Sequence, residues 1–377
     1  MTIETALIEI DPNGDTLLIL HNPDEPFAVD SSFEPWPTAL PQYWTPDKQQ
    51  EEDRLASSAL RVLTNVEDAP DIHMRISSQQ LLPNMRYSSL LRTNQWRETK
   101  AENGYSYTMT AKGWDKDALT ILMHIIHGQT QKVPHMVDLE KLAKIAVIVE
   151  EYGFHRAAHF FGKAWISRLE QPLPSSFGRK LLLRLFVSGV FIDEDAYEKL
   201  TKIIIYESRG WMHMLDLPGT GDIATSDELV TSRCKLISGF ISSINSLKEQ
   251  LGEEEKECSF ECLSMSLGAL MKGLKATGLD NLQSQVDWEE NGNYDGFSVM
   301  AIEKALSDIR MPEYHQSLHH DPNSSLDKTV AAETTGSTKP EGSHFTLKRN
   351  CSLEMKIQSI IQMQLAKMEG TKPWPVF

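Results

Sequence analysis

The stretch Trp114–Leu169, WDKDALTILMHIIHGQTQKVPHMVDLEKLAKIAVIVEEYGFHRAAHFFGKAWISRL, holds three helical patterns in succession, each with its own stop. Ala118, Leu119, Leu122, Met123 and Ile126 share one face at helical spacing, and Gly128 ends that run. Leu139, Leu142, Ala143, Ala146 and Val147 make the second stripe. Asp138 opens it as N-cap, with Val137 and Leu142 spaced for a hydrophobic staple. Gly153 closes it, and Phe154, Ala157, Ala158, Phe161 and Trp165 stripe the third. Helices this apolar and this tightly joined must bury their faces on one another. The stretch therefore reads as the second half of a compact domain.

Upstream, the pattern changes to strands. Ala6, Ile8 and Ile10 alternate along a short one, Asp11-Pro-Asn-Gly14 is a turn, and the apolar run of DTLLIL from Asp15 suits a buried strand. Phe27-Ala-Val29 is spaced to be its hairpin partner across His21–Pro26. From 30 to 70 the chain carries prolines and a charged run from Lys48 to Arg54 without a sustained period, which predicts a disordered insertion. Ile72, Met74 and Ile76 then alternate with His73 and Arg75, a half-buried strand. Ser77 or Ser78 is placed to cap a helix reaching about Leu91. Tyr105, Tyr107 and Met109 alternate as the next strand.

The phrase from His127 to Tyr152, HGQTQKVPHMVDLEKLAKIAVIVEEY, resembles the second half of a BTB (POZ) domain, specifically in the large fungal group of BTB proteins. Met74-Arg-Ile-Ser-Ser-Gln-Gln-Leu81 is similar to that family's strand-to-helix segment F-x-V-S-S-x-H-L. It departs at Gln80, where the family carries His, and at Asn84-Met85-Arg86, where the family has Ala-Ser-Pro. These helix positions line a shallow groove and part of the dimer face in the family. The resemblance implies an α+β BTB/POZ domain, a small sheet flanked by helices, over 1–29 and 71–170. An all-α region follows. It also implies a protein–protein interaction module that homodimerises through the Ala6–Ile10 strand and the Ser78–Leu91 helix. In BTB adaptors of cullin-3 ubiquitin ligases, a hydrophobic-x-Glu triplet contacts the cullin. Trp96-Arg97-Glu98 matches it, with Trp96 as the apolar anchor and Glu98 as the acid.

After Pro172 come helical patterns over Lys180–Val190, from Asp193 or Glu194 to Arg209, from Ser226 to Leu251, and from Cys258 to Leu274 with Gly278 as stop. Together they predict a helical domain over 172–310. Residues 311–345 are polar and rich in Ser, Thr, Gly and Pro, the composition of a disordered linker. A last helix is expected within 346–370, striped by Leu353, Ile357, Ile360, Ile361 and Leu365.

The chain has 377 residues and a formal charge of −16, with 53 acidic against 37 basic residues. A phosphate backbone is repelled by that balance unless cations cluster, so no nucleic-acid partner is expected. The sequence offers no run near the roughly 20 apolar residues that span a bilayer and no secretory signal, so no membrane partner is expected either. Four cysteines suit a reducing cytoplasmic or nuclear setting.

Cys258 and Cys262 fall one helical turn apart, and with His344 and Cys351 they form a candidate zinc set. Their spacing is not that of a zinc knuckle, and reduced thiols packing the last helix against a middle one are the alternative. His155 and His159 also have helical metal spacing, but Arg156 stands where a zinc protease needs its general-base Glu. Leu217-Pro-Gly-Thr-Gly-Asp222 lacks the Gly-Lys-Ser/Thr ending of a phosphate loop. The sequence predicts no enzyme and no cofactor. The expected functions are a scaffold or adaptor, a cullin-3 substrate adaptor, or a transcription-associated oligomerisation protein acting through partners.

Overall fold

A computed structural model describes residues 7–28, 70–85, 96–102, 104–209, 225–253, 260–280, 294, 296–312 and 352–373. They form an α+β, helix-rich structure. The segments expected to be disordered, 30–70 and 311–345, fall almost entirely outside these residues. Two compact units divide the chain. One spans residues 1–37 and 44–231 and takes up 369–377, and the other centres on 232–368.

The first unit is built on a five-stranded sheet in the order β1-β3-β2-β5-β4. Its strands are β1 (Leu7–Glu9), β2 (Thr16–His21), β3 (Ile72–Ile76), β4 (Trp96–Glu102) and β5 (Tyr105–Lys112). β2 lies between an antiparallel partner, β3, and a parallel one, β5. Leu18 and Leu20 on β2, Met74 and Ile76 on β3, and Met109 and Ala111 on β5 are almost wholly buried, while the residues between them are half-exposed. That two-residue alternation is what a sheet with one face on a core requires.

The structure departs from the sequence reading at three places. Phe27 and Ala28 do not pair with β2. Ala28 has φ 50°, incompatible with a strand. Both carbonyls instead accept hydrogen bonds from the Arg179 guanidinium, at 3.2 and 2.9 Å. Val29 lies outside the described residues. Among the described residues, the helix after β3 is α1 (Ser78–Leu81), interrupted by a 3-10 turn over Leu82–Asn84 rather than continuing unbroken. Pro83 brings no N–H to continue the ladder. Strand β4 was not expected at all. It pairs antiparallel with β5 as the far edge of the sheet.

The three helical patterns of the Trp114–Leu169 stretch are α2 (Lys116–Ile126), α3 (Leu139–Tyr152) and α4 (His155–Ile166). Asp115 caps α2 through the Ala118 N–H, and Asp138 caps α3 through the Lys141 N–H. Gly153 ends α3 at φ 72°, a left-handed turn that costs glycine little. Asp115 also holds the ammonium groups of Lys141 and Lys144 at 2.7 and 3.0 Å, tying the start of α2 to α3. Burial opposes the Asp115 charge, but the hydrogen bonds from Lys141, Ala118 and Lys144 outweigh it and hold its carboxyl below the usual range.

α5 (Arg179–Val190) packs on α3, and α6 (Glu194–Glu207) packs on α5. The domain boundary expected at 170–172 therefore differs from the division between the compact units, at 231/232. Leu142, Ala143, Ile145, Ala146, Val147, Ile148 and Val149 of α3 are all fully buried, so the helix needs cover on more sides than α2 and α4 provide. Residues beyond 368 return to this unit, where the Thr371 N–H donates to Thr201 Oγ1 on α6 at 3.0 Å.

The second unit is all-helical among its described residues. It contains most of α7 (Thr225–Gly252), then α8 (Phe260–Thr277), α9 (Val299–Ser307) and α10 (Leu353–Leu365). Its least ordinary core group is Arg233, wholly buried on α7, whose guanidinium donates to the carbonyls of Tyr294 and Phe297 at 3.0 and 2.7 Å. α10 buries Leu353, Ile357, Ile360 and Ile361 as its pattern predicts, with Gln364 rather than Leu365 completing the stripe. Gln364 reaches Ser243 on α7 at 2.8 Å.

In the first unit, α4 meets the end of α5 at Gly162, where an added Cβ would run into the Phe191 ring. Gly162→Ala is expected to cost about 1–3 kcal/mol of stability through overpacking. Urea unfolding measures that loss, and adding Phe191→Leu should recover part of it.

Candidate interaction surfaces

The sheet ends in two outer strands, β1 and β4. β1 is three residues long, pairs parallel with β3, and leaves Leu7 49% exposed while Ile10 just beyond it is buried. Leu82, in the turn after α1, is 37% exposed. The remainder of the helix expected to Leu91 lies outside the described residues. At the opposite edge, Trp96, Arg97 and Glu98 are the first three residues of β4 and stand opposite Met109, Thr108 and Tyr107. The hydrophobic-x-Glu triplet is thus part of an edge strand.

Where the sheet meets α1 and α2, polar groups from four elements converge. Ser77 occupies the N-cap position of α1, but its side chain makes no cap. Asp15, at the start of β2, does so instead. It accepts from the Ser78 N–H at 2.8 Å and the Ser78 hydroxyl at 2.6 Å. Partial burial works against its charge, yet these bonds prevail and hold the Asp15 carboxyl below its ordinary value. The Ser77 N–H is left to the end of α2, where His127 Nε2 accepts it at 2.9 Å. His127 Nδ1 lies 2.8 Å from the Met123 carbonyl, so the neutral Nδ1–H tautomer satisfies both bonds. Burial pushes the His127 pKa down, against the Met123 carbonyl and Asp11, which favour the cation.

Beside it, Gln129 Nε2 donates to the Ile10 carbonyl at 2.6 Å. Its oxygen is then free to accept from His124 Nδ1 at 2.9 Å. Arg75 Nε closes the other side by donating to the Gly14 carbonyl at 2.9 Å. This junction is a set of structural hydrogen bonds between elements distant in sequence.

Of the candidate zinc ligands, only Cys262 lies among the described residues, as a buried thiol on α8. Cys258, His344 and Cys351 lie outside them. No group of three or more metal-binding side chains occurs among the described residues. His155 and His159 do not act together either, because His155 Nε2 contacts Glu150 at 2.9 Å and His159 is exposed. The 217–222 loop is outside the described residues. Asp193 does begin a helix, capping α6 through Ala196 and pairing with Arg184 at 2.7 Å.

Two features were not drawn from the sequence. β4 was signalled by Asn103-Gly104, the commonest tight-hairpin dipeptide, and Gly104 does take φ 83°. Phe160 stands 75% exposed on α4, outside the helical stripe, and a single apolar residue off-stripe gives no periodic signal. In comparisons with known proteins, no family model, no curated protein and no solved structure matches this chain.

His127 gives the junction a pH dependence of definite sign. Its folded pKa lies below the 6.5 of the unfolded side chain, so the unfolded chain takes up the proton first. Stability should be full above that value and decline as pH falls through it towards the lower, folded pKa. The urea midpoint should therefore drop between about pH 7.5 and 5.5. His127→Asn should flatten that dependence; an unchanged slope would show that His127 does not set it.

Proposed function

We propose that this chain is a BTB (POZ) protein that acts as an interaction scaffold or adaptor in the cytoplasm or nucleus and self-associates as a homodimer, with no catalytic role. The observation that carries the reading is the β1 edge. A three-residue strand ends the sheet with a half-exposed leucine, and no further strand lies beside it among the described residues. Unpaired strand edges are templates for pairing with another chain. A mixed sheet with α2, α3 and α4 following it in sequence also suits the resemblance carried by His127–Tyr152.

Light scattering on the full chain tests this reading. A mass of two chains at micromolar concentration is expected. Leu7→Lys, which places a charge on the strand edge, should weaken association by at least about tenfold, the equivalent of 1.4 kcal/mol. A monomer at all accessible concentrations would overturn the homodimer.

A second reading is a cullin-3 substrate adaptor. It is favoured by the place of Trp96 and Glu98 two residues apart on the outer strand β4, where the backbone is within reach of a partner. The full chain should bind the N-terminal fragment of cullin-3, and Trp96→Ala and Glu98→Ala should each abolish capture. Equal capture of all three proteins would remove the triplet from the interface.

A further inference from the structure

Helix α4 separates its two faces cleanly. Ala158, Gly162 and Trp165 are buried, and Phe154 just before the helix is buried with them. Trp165 is anchored by its Nε1–H to the Pro134 carbonyl at 2.8 Å. The opposite face carries Arg156, Phe160, Lys163 and Ser167 at i, i+4, i+7 and i+11, all exposed. Phe160 is 75% exposed, and its ring meets that of Phe161 edge-on at 5.6 Å.

The charge on this face is of one sign. From His155 to Leu169 there is no Asp or Glu, although acidic residues outnumber basic ones by 53 to 37 in the whole chain. Arg156, Lys163 and Arg168 pair with no carboxylate among the described residues. Lys163 and Arg168 instead donate to backbone carbonyls, those of Ile192 at 2.6 Å and His135 at 2.9 Å. A carbonyl carries no formal charge, so these bonds orient both side chains without offsetting their charge as a carboxylate would. An exposed aromatic ring flanked along the helix by the cations Arg156 and Lys163 is complementary to an apolar side chain flanked by carboxylates.

We propose that the exposed face of α4 docks an acidic segment of another protein. Carboxylates of that segment lie against Arg156 and Lys163, and an apolar side chain between them covers Phe160. The inference rests on the reading of this chain as an interaction module, but it uses a surface other than the β1 edge. The two therefore fail separately.

The test uses the full chain and a fluorescent peptide in which single leucines and tryptophans are spaced by pairs of glutamates, read by anisotropy. Binding is expected, and it should weaken as salt is raised. Phe160→Ser and Arg156→Glu should each reduce affinity about tenfold or more, a loss of at least 1.4 kcal/mol. An all-glutamate peptide should bind more weakly than the mixed one. Light scattering should give both variants the oligomeric state of the parent, which separates loss of this surface from loss of the dimer. Absence of binding, or equal binding by the two variants, would overturn the proposal. So would anionic phosphatidylserine vesicles binding the parent but not Phe160→Ser while the peptide binds neither, which would assign the face to a membrane surface.

Discussion

The carboxylate of Asp15 reaches across 63 residues of sequence to the N–H and hydroxyl of Ser78. The first N–H groups of any helix have no partner within it, and here one of them is met by the start of a strand. The neighbouring N–H, of Ser77, is met by His127 at the end of α2. β2, the exit from β3 and the end of α2 are thus fixed to one another by groups that would be costly to leave unsatisfied. A slip of one residue between β2 and β3 would break these bonds as well as reverse the buried face. Sheet register and helix placement are therefore a single constraint in this molecule.

On that base, α3 sets the extent of the unit. Its apolar residues are not confined to a stripe, and burying them takes α2, α4 and α5 together. Gly162 is part of the same solution, because only a residue without a side chain lets α4 accept the Phe191 ring. The polar groups inside this helical layer serve geometry. Trp114 Nε1–H donates to the Tyr152 hydroxyl at 3.1 Å, while burial pushes the Tyr152 phenol pKa well up. The groups that could meet a partner lie outside it, on strand edges and on the far face of α4.

Helices were more legible in the sequence than strands, and for a physical reason. Asp138, Gly153 and the stripe between them are local signals, and each appears where the pattern puts it. Strand partners are set by residues far away in sequence. Phe27-Ala-Val29 has the composition of a hairpin strand, but β2 takes its antiparallel neighbour from Ile72–Ile76, across the whole 30–70 segment. β4 is charged along its length, as suits an outer strand, and so shows no apolar alternation. The unit boundary was hidden similarly, since the proline-rich stretch after Leu169 looks like a linker while α5 beyond it is required by α3. Of the proposed interaction surfaces, the Trp96-Arg97-Glu98 triplet could be read as a motif. The α4 face could not, because its meaning depends on which side of the helix is buried.

The hydrogen bond from Thr371 to Thr201 gives the chain an order of assembly. α6 belongs to the first unit, but the strand of backbone that covers it is made only after every residue of α7 to α10. On the ribosome, the first unit must wait with that side of α6 bare until the whole second unit has been synthesised. Its completion is therefore timed by the translation of its neighbour. A stalled or shortened chain would leave Thr201 without the N–H that normally closes it, even though no residue of the sheet, its helices or the junction had been altered.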